Sequence, residues 1–136
     1  MNEFFSNFAS NHIMKYLIIL FVLISFNSCY KIERDCNSYK IGDFYSETVI
    51  NNKVYKSTFS RGAELQIENF EGMLDSSKVR WINECEMVFK TINPKNKIDR
   101  KDIHLKILIT TDSSYTYEYS YIGETIKQKG IAYKIK

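Results

Sequence analysis

Four tyrosines form the most unusual row of functional groups in this chain. They occupy alternate positions of one segment, as Tyr115, Tyr117, Tyr119 and Tyr121. Because alternate side chains of a β-strand share a face, a strand here would present four rings side by side, each with a hydroxyl. Such a row can line a ligand site or contact a partner protein. Cross-strand packing inside a β core explains the same pattern.

The ionisable residues do not form a recognisable catalytic set. His104 alternates with apolar residues, so we expect it on a solvent-facing strand surface with no group to orient it as a general base. Glu64, Glu68 and Glu86 are also expected on outer faces, not across a cleft as glycoside hydrolysis requires. No nucleophile motif and no Cys/His metal spacing accompanies them. We therefore expect no enzyme activity, no cofactor and no bound metal.

An export signal is indicated near the start of the chain. Lys15 precedes an unbroken apolar run over residues 16–24, and Ser28 and Cys29 follow it. A basic residue, a short apolar stretch and a small residue before the cleavage point are typical of a secretory signal. The run is shorter than the roughly 18 residues that span a bilayer. The alternative is a buried core helix with a chance cysteine.

A signal that ends at a cysteine resembles the lipobox of bacterial lipoproteins. The residues before the expected cleavage point are Phe26, Asn27 and Ser28. The resemblance implies cleavage before Cys29 and acylation of that residue. It also implies attachment through the lipid to a membrane of the cell envelope, which we expect to be the outer membrane.

The two other cysteines of the chain are Cys36 and Cys85. In an oxidising compartment two remaining thiols are expected to pair, whereas in the cytosol they would be buried small apolar residues. With Cys29 assigned to the lipid, we predict a Cys36–Cys85 disulfide.

Composition favours a β fold and argues against several function classes. A net charge of +3 with 26% charged residues of both signs is too mild for a dedicated nucleic-acid binder and ordinary for a folded domain. From Cys29 onward the 108 residues contain 39 Ile, Val, Tyr, Phe, Trp and Thr but only 8 Ala, Leu and Met, so a helical bundle is excluded. We expect an upstream extension and signal over 1–28, a lipid anchor and charged tether over 29–40, and a β domain over 41–136.

Turn residues divide the β domain into eight predicted strands. Asn51-Asn52 is typical of a tight hairpin turn. Residues 72–77 are predicted to form a loop, and the longest predicted connection between two strands covers 93–102. In the last strand the lysines change phase, which predicts a β-bulge at Gly130. The sixth strand should place Ile103, Leu105, Ile107 and Ile109 on one face. The predicted strands are 42–50, 53–61, 64–71, 78–82, 85–92, 103–111, 115–122 and 125–136.

Short connections make sequence neighbours spatial neighbours, in an antiparallel up-and-down meander. Eight such strands can close into a small barrel and remove both exposed edges. The segment Gly42-Asp43-Phe44 is similar to the Gly-x-Trp that begins the first strand of lipocalins, which implies a lipocalin-like barrel. A twisted open sheet or a sandwich is the alternative.

A further resemblance concerns the segment from Arg80 to Glu86, which contains Trp-x-x-x-Cys-Glu. Together with Cys36, Gly42-Asp43-Phe44 and Arg61, it resembles a group of small lipoproteins of Gram-negative bacteria of the Bacteroidetes kind. The resemblance covers nearly all of 14–136 and implies no established activity. Some members carry the label DNA topoisomerase IV, but 108 exported residues provide no DNA gate, no DNA-binding domain with a catalytic tyrosine and no ATPase domain.

These observations predict a membrane-anchored lipoprotein whose periplasm-facing β domain binds a small apolar ligand or an envelope protein, and no nucleic acid. The tyrosine row is its candidate site. The alternative is a structural or accessory envelope lipoprotein with a solid core and no ligand. A pocket lined by the tyrosine row would favour the first, and a filled interior the second.

Overall fold

The structure of the protein, a computed structural model, describes residues 15–16 and 34–135. The predicted signal beyond Tyr16, its cleavage point and Cys29 lie outside these residues. No helix in the described part of the chain is long and apolar enough to cross a membrane. The β domain belongs to a compact unit over Glu33–Lys136.

Eight antiparallel strands close into one barrel in chain order, so the prediction of an all-β up-and-down barrel is confirmed. Each strand pairs with the next along the chain, and the last pairs with the first. The strands are β1 (Gly42–Ile50), β2 (Lys53–Arg61), β3 (Leu65–Phe70), β4 (Met73–Asn83), β5 (Glu86–Thr91), β6 (Ile103–Thr110), β7 (Ser114–Tyr121) and β8 (Gln128–Ile135).

Two tight turns connect neighbouring strands of the barrel, and the first of them was predicted from its residue types. Asn51 and Asn52 connect β1 to β2 with φ of 50° and 61°, and Glu71 and Gly72 connect β3 to β4 with φ of 50° and 82°. Two-residue hairpin loops of type I′ need positive φ at both central positions, which asparagine and glycine adopt at low cost, whereas glutamate at position 71 adopts it less readily. These two turns fix the register on either side of them.

The predicted loop over 72–77 is wrong, because the turn ends at Gly72 and β4 begins at Met73. Asp75, Ser76 and Ser77 have the composition of a loop, yet they pair in register with Glu68, Ile67 and Gln66 of β3. Polar residues are accommodated in this strand because part of its inner face borders a polar cavity. The barrel wall therefore extends about five residues further toward one end than the sequence indicated.

The predicted β-bulge at Gly130 is also wrong. β8 pairs without interruption with both β1 and β7, and residues 125–127 are not part of the strand. Gly130 faces the interior beneath the ring of Tyr117, where an added Cβ would lie 2.5 Å from the tyrosine hydroxyl oxygen. Glycine is required here by a close approach of a side chain.

The sixth strand contains an irregularity that the sequence did not indicate. Leu105 and Ile107 are buried as predicted, but the register with β7 shifts between Ile107 and Ile109. Ile109 consequently faces solvent and is 49% exposed.

One end of the barrel is closed by the segment that precedes β1. A 3-10 helix over Asn37–Tyr39 places Tyr39 against the barrel interior, where the tyrosine is 2% exposed and its hydroxyl donates to the Thr111 carbonyl at 2.6 Å. Lys134 Nζ donates to the Ser38 carbonyl at 2.7 Å. From Arg34 onward, the segment predicted as a tether is thus part of the folded domain, and we call this end the floor.

Cys36 and Cys85 form the predicted disulfide, with 5.2 Å between their Cα atoms. Cys36 is buried beside Tyr39, and Cys85 precedes β5. The bond therefore ties the floor segment to the barrel wall.

Candidate functional site

The four tyrosines of β7 all point into the barrel. Tyr115 and Tyr117 are 1% and 6% exposed, so the half of the row near the floor is buried in the core. Tyr119 and Tyr121 are half-buried and lie nearer the opposite, open end, which we call the mouth. Consecutive rings from Tyr115 to Tyr119 are 5.8 Å and 6.2 Å apart between centroids. The row is an interior wall and not an outer strip.

The tyrosine row borders a cavity of about 430 Å³ inside the barrel. This volume lies within the 300–1,000 Å³ range typical of small-molecule sites. Its apolar wall includes Phe89 of β5, Ile103 and Leu105 of β6, and the tyrosines of β7. The facing wall comes from β1 to β4 and is largely polar, with the side chains of Ser46, Thr48, Arg61, Gln66, Glu68, Asp75 and Ser77 beside the rings of Phe59 and Phe70.

The β3–β4 hairpin builds the polar wall by placing polar residues inside and apolar residues outside. Glu68 lines the cavity, whereas Leu65, Ile67 and Leu74 on the outer face are 41%, 42% and 66% exposed. The expectation that Glu68 faces outward is therefore wrong. The alternation of polar and apolar residues was recognised correctly, but the usual rule that apolar residues face the core assigned the two faces in reverse.

Arg61 lies at the bottom of the cavity and is 2% exposed. Its Nε donates to Gln66 Oε1 at 2.8 Å, one terminal nitrogen donates to the Tyr39 carbonyl at 3.3 Å, and the other donates to the Tyr115 hydroxyl at 3.0 Å. Four rings surround the guanidinium at 4.9 to 5.9 Å from its carbon, those of Phe44, Phe59, Phe89 and Tyr115. Aromatic faces and hydrogen bonds thus stabilise a buried cation.

Tyr117 joins the aromatic wall to the polar one. Its hydroxyl lies 2.7 Å from Ser46 Oγ and 2.9 Å from Thr48 Oγ1. Burial raises the pKa of Tyr117, although the two hydrogen bonds oppose that effect. Both partners lie on β1, so the two hydrogen bonds fix the Tyr117 hydroxyl against that strand.

Tyr119 lies closer to the mouth than Tyr117, and its hydroxyl has fewer hydrogen bonds to the protein. Burial, together with the neighbouring hydroxyls of Tyr117 and Tyr121 and the carboxylate of Glu68, raises the pKa of Tyr119 to about 12. Within the described residues no hydrogen bond engages its hydroxyl. The group is therefore a neutral donor and acceptor open to the cavity.

Glu68 and Asp75 occupy directly opposite positions on β3 and β4, and both line the cavity. Glu68 accepts a hydrogen bond from the Ser57 hydroxyl. Asp75 is paired at 3.3 Å with Lys95, in the loop between β5 and β6 near the mouth. Like charges directly opposite each other destabilise a strand pair, and the pairing of Asp75 with Lys95 offsets part of that cost.

The other predicted polar positions lie outside the cavity. His104 faces solvent as expected, with its Nε2 3.0 Å from Glu86 Oε2, and Lys106 Nζ lies 3.4 Å from Glu86 Oε1. Burial raises the pKa of Glu86, but the hydrogen bonds from His104 and Lys106 outweigh it and leave the pKa below its ordinary value. This surface cluster adjoins no cavity among the described residues. We interpret this cluster as a surface ion-pair network on β5 and β6.

Sequence reasoning singled out the tyrosine row and missed the polar wall. Arg61 and Gln66 looked like the ordinary end of one strand and the solvent face of the next. The local pattern favoured the reverse assignment, because Leu65, Ile67 and Leu74 would all be buried if Glu68 and Asp75 faced water.

Comparisons with protein-family models, with curated proteins and with solved structures find no match to this chain. Function must therefore be inferred from the geometry of the cavity.

Proposed function

We propose that this protein is an envelope lipoprotein, anchored through Cys29, whose barrel binds a small amphipathic molecule. The observation that supports the proposal is the cavity of about 430 Å³ between a tyrosine-rich wall and a polar wall. A molecule with one apolar face and one hydrogen-bonding face would complement both walls. The proposal modifies the sequence-based expectation of an apolar ligand, because half of the lining is polar.

The two-faced interior is costly for a domain that only needs to be stable. Glu68, Asp75 and Arg61 line the inside, while Leu65 and Leu74 are exposed outside. Exchanging the faces of β3 and β4 would bury more apolar surface and expose the charges to water. A binding function for the interior gives a reason for the arrangement, whereas the structural alternative gives none.

The placement of the cavity agrees with an anchor at the start of the chain. The described chain enters the barrel at the floor, where Arg34 donates to the Ile107 carbonyl at 2.7 Å. Only residues 30–33 separate Cys29 from Arg34 along the chain. The mouth lies at the other end, where the ends of β7 and β3 place Tyr121 and Phe70. We infer that a ligand enters there from the periplasm.

A second candidate function is contact with an envelope protein. The outer surface of β3, β4 and β8 carries Ile67, Leu74 and Ile135, which are 42%, 66% and 48% exposed and border a shallow groove. Exposed apolar side chains that lie together are typical of partner surfaces. This surface is separate from the cavity, so the two functions are compatible.

The binding proposal can be tested by analysing what the protein carries when it is isolated. The full-length protein is purified from native membranes, and the small molecules released by denaturation are identified by mass spectrometry. Ser77→Phe places a ring in the cavity, whereas Ser76→Phe places the same ring on the outer face of the same strand. We expect a released molecule with the wild type and with Ser76→Phe, and its loss with Ser77→Phe. Equal recovery from both variants, or no molecule from any of them, would contradict the proposal.

A further inference from the structure

The cavity contains a positive charge, Arg61, and a negative charge, Glu68, that do not form an ion pair with each other. Arg61 uses three of its five N–H groups in hydrogen bonds to the protein, which leaves two free within the described residues. No carboxylate of the described residues lies within 4.0 Å of its guanidinium. The surrounding rings and the three hydrogen bonds stabilise the cation, and an anionic group at the two free N–H groups would add a charge partner.

Glu68 lies closer to the mouth than Arg61 and is a negative charge without a positive partner among the described residues. Its only hydrogen bond within the described residues comes from a neutral group, the Ser57 hydroxyl. No cation of the described residues lies within 4.0 Å of its carboxylate. Asp75 directly opposite adds negative potential at the same level. Asp75 already pairs with Lys95, so a cationic group in the cavity would pair with Glu68.

The register places the backbone positions of Arg61 and Glu68 on the same face of neighbouring strands. Arg61 pairs with Gln66, so Glu68 is its diagonal neighbour on β3. Diagonal positions of an antiparallel pair lie about 7–8 Å apart. The side chains nevertheless stay more than 4.0 Å from each other. A ligand group that carries both charges a few ångström apart would bridge this gap.

The uncharged lining of the cavity indicates the rest of the molecule. Leu105, Ile103, Tyr119 and Tyr121 line the side opposite Glu68 and leave a flat aromatic and aliphatic surface. Such a surface favours an apolar or aromatic body of modest size. The free hydroxyl of Tyr119 can add one hydrogen bond to it.

We propose that the ligand is a small zwitterion of the α-amino-acid type with an apolar or aromatic side group. Its carboxylate binds Arg61, its ammonium group binds Glu68, and its side group lies along the tyrosine row. This inference rests on the proposed function and specifies the class of molecule that the same cavity takes.

Three probes that share a phenyl ring test the inference. Phenylalanine carries both charges, 3-phenylpropionate carries only the anion, and phenethylamine carries only the cation. Each is titrated into the purified full-length protein by isothermal calorimetry. We expect phenylalanine to bind about tenfold or more tightly than either singly charged probe. Equal or tighter binding of a singly charged probe, or no binding of phenylalanine, would overturn the zwitterion inference.

Two substitutions assign the charges to residues. Glu68→Gln should remove the advantage of phenylalanine over 3-phenylpropionate, and Arg61→Gln should remove its advantage over phenethylamine. Glu118→Gln on the outer face of β7 serves as the matched control and should leave all three affinities unchanged. Because Arg61 also holds Tyr39 and Tyr115, the Arg61 variant is first checked for folding by circular dichroism. If it does not fold, Glu68→Gln decides the inference alone, and an unchanged preference in that variant would contradict it.

Failure of this inference can be distinguished from failure of the proposed function. A molecule released from the wild type and absent from Ser77→Phe, but not zwitterionic, would leave the binding function in place and overturn only the charge assignment. Absence of any released molecule, together with no binding of the three probes, would contradict both.

Discussion

At the scale of single residues, the tyrosine row has two different roles along its length. Tyr115 and Tyr117 are buried and tied to Arg61 and Ser46, so they belong to the core that supports the cavity. Tyr119 and Tyr121 are half-buried and have free space in front of them. A ligand site on this wall therefore depends mainly on the two tyrosines near the mouth.

The protonation of Tyr119 gives a direct test of its environment. Its pKa of about 12 in the folded protein lies above the ordinary value of 10.0. The stability gained by keeping the hydroxyl protonated is therefore complete below pH 10 and is lost as the pH rises toward 12. We expect the phenolate absorbance that Tyr119→Phe removes to appear near pH 12 in a spectrophotometric titration of the folded protein. The same titration in guanidinium chloride is the control, where it should appear near pH 10. If the phenolate absorbance that Tyr119→Phe removes appeared near pH 10 in the folded protein, this result would contradict the burial of Tyr119.

The residue types of the site were only partly predictable from the sequence. A row of tyrosines at period two is a local pattern, so it could be recognised without knowledge of the fold. The role of Arg61 depends on residues far apart in the chain, since Tyr39 and Tyr115 are 22 and 54 positions away from it. No local pattern carries that information.

At the scale of secondary-structure elements, the turn residues Asn51-Asn52 predicted the strand bounds correctly, whereas the polarity of the residues in β4 did not. The Asn51-Asn52 turn placed the first two strands with their observed bounds, because positive φ at both residues is a local requirement. β4 was shortened in the prediction because Asp75, Ser76 and Ser77 look like a loop. A strand that faces a polar cavity lacks the apolar residues on which strand recognition depends.

Gly130 in β8 offers a test of the interior packing. An added Cβ would lie 2.5 Å from the Tyr117 hydroxyl oxygen and 2.8 Å from the Glu47 carbonyl oxygen. We expect Gly130→Ala to lower the free energy of unfolding by about 1–3 kcal/mol, because backbone and a hydrogen-bonded ring would both have to move. Denaturant unfolding followed by circular dichroism measures the change.

Gly62 provides the matched control for Gly130. It lies between β2 and β3, where the nearest atom to an added Cβ is the Leu65 carbonyl oxygen at 3.7 Å. Gly62→Ala should change the free energy of unfolding by less than about 0.5 kcal/mol. Equal effects of the two substitutions would contradict the close approach of Tyr117 to Gly130.

The disulfide is the element that secures the floor. Cys36 and Cys85 are 49 positions apart, so the bond restricts a long loop in the unfolded chain. By loop entropy we expect Cys36→Ala combined with Cys85→Ala to lower the free energy of unfolding by about 4 kcal/mol. Wild-type protein treated with reductant is the control and should be destabilised to a similar extent. A denaturation midpoint that is unchanged by reductant would contradict this role.

At the scale of the whole molecule, closure of the barrel explains why a domain of this size can carry a polar interior. The pairing of β8 with β1 closes the sheet, so every strand has a hydrogen-bonded neighbour on both sides. The floor segment and the core beneath the cavity supply apolar packing. The upper half can then be polar and open without loss of the fold.

The expected lipid at Cys29 is a property of the whole chain that cell labelling can measure. If the resemblance to the lipobox holds, an alkyne fatty acid should tag the protein, and Cys29→Ser should abolish the tag and release the protein from membranes. Ser28→Thr, which keeps the cysteine, is a control that should retain the tag. Equal tagging of the wild type and Cys29→Ser would exclude acylation at this residue.

The central claim is that the barrel interior holds a small molecule, and a crystal structure of the protein isolated from native membranes tests it most directly. We predict continuous density that is not water between Arg61 and Tyr119, in contact with Glu68. A cavity that contains only ordered water, or one that is closed by the side chains around it, would contradict the claim.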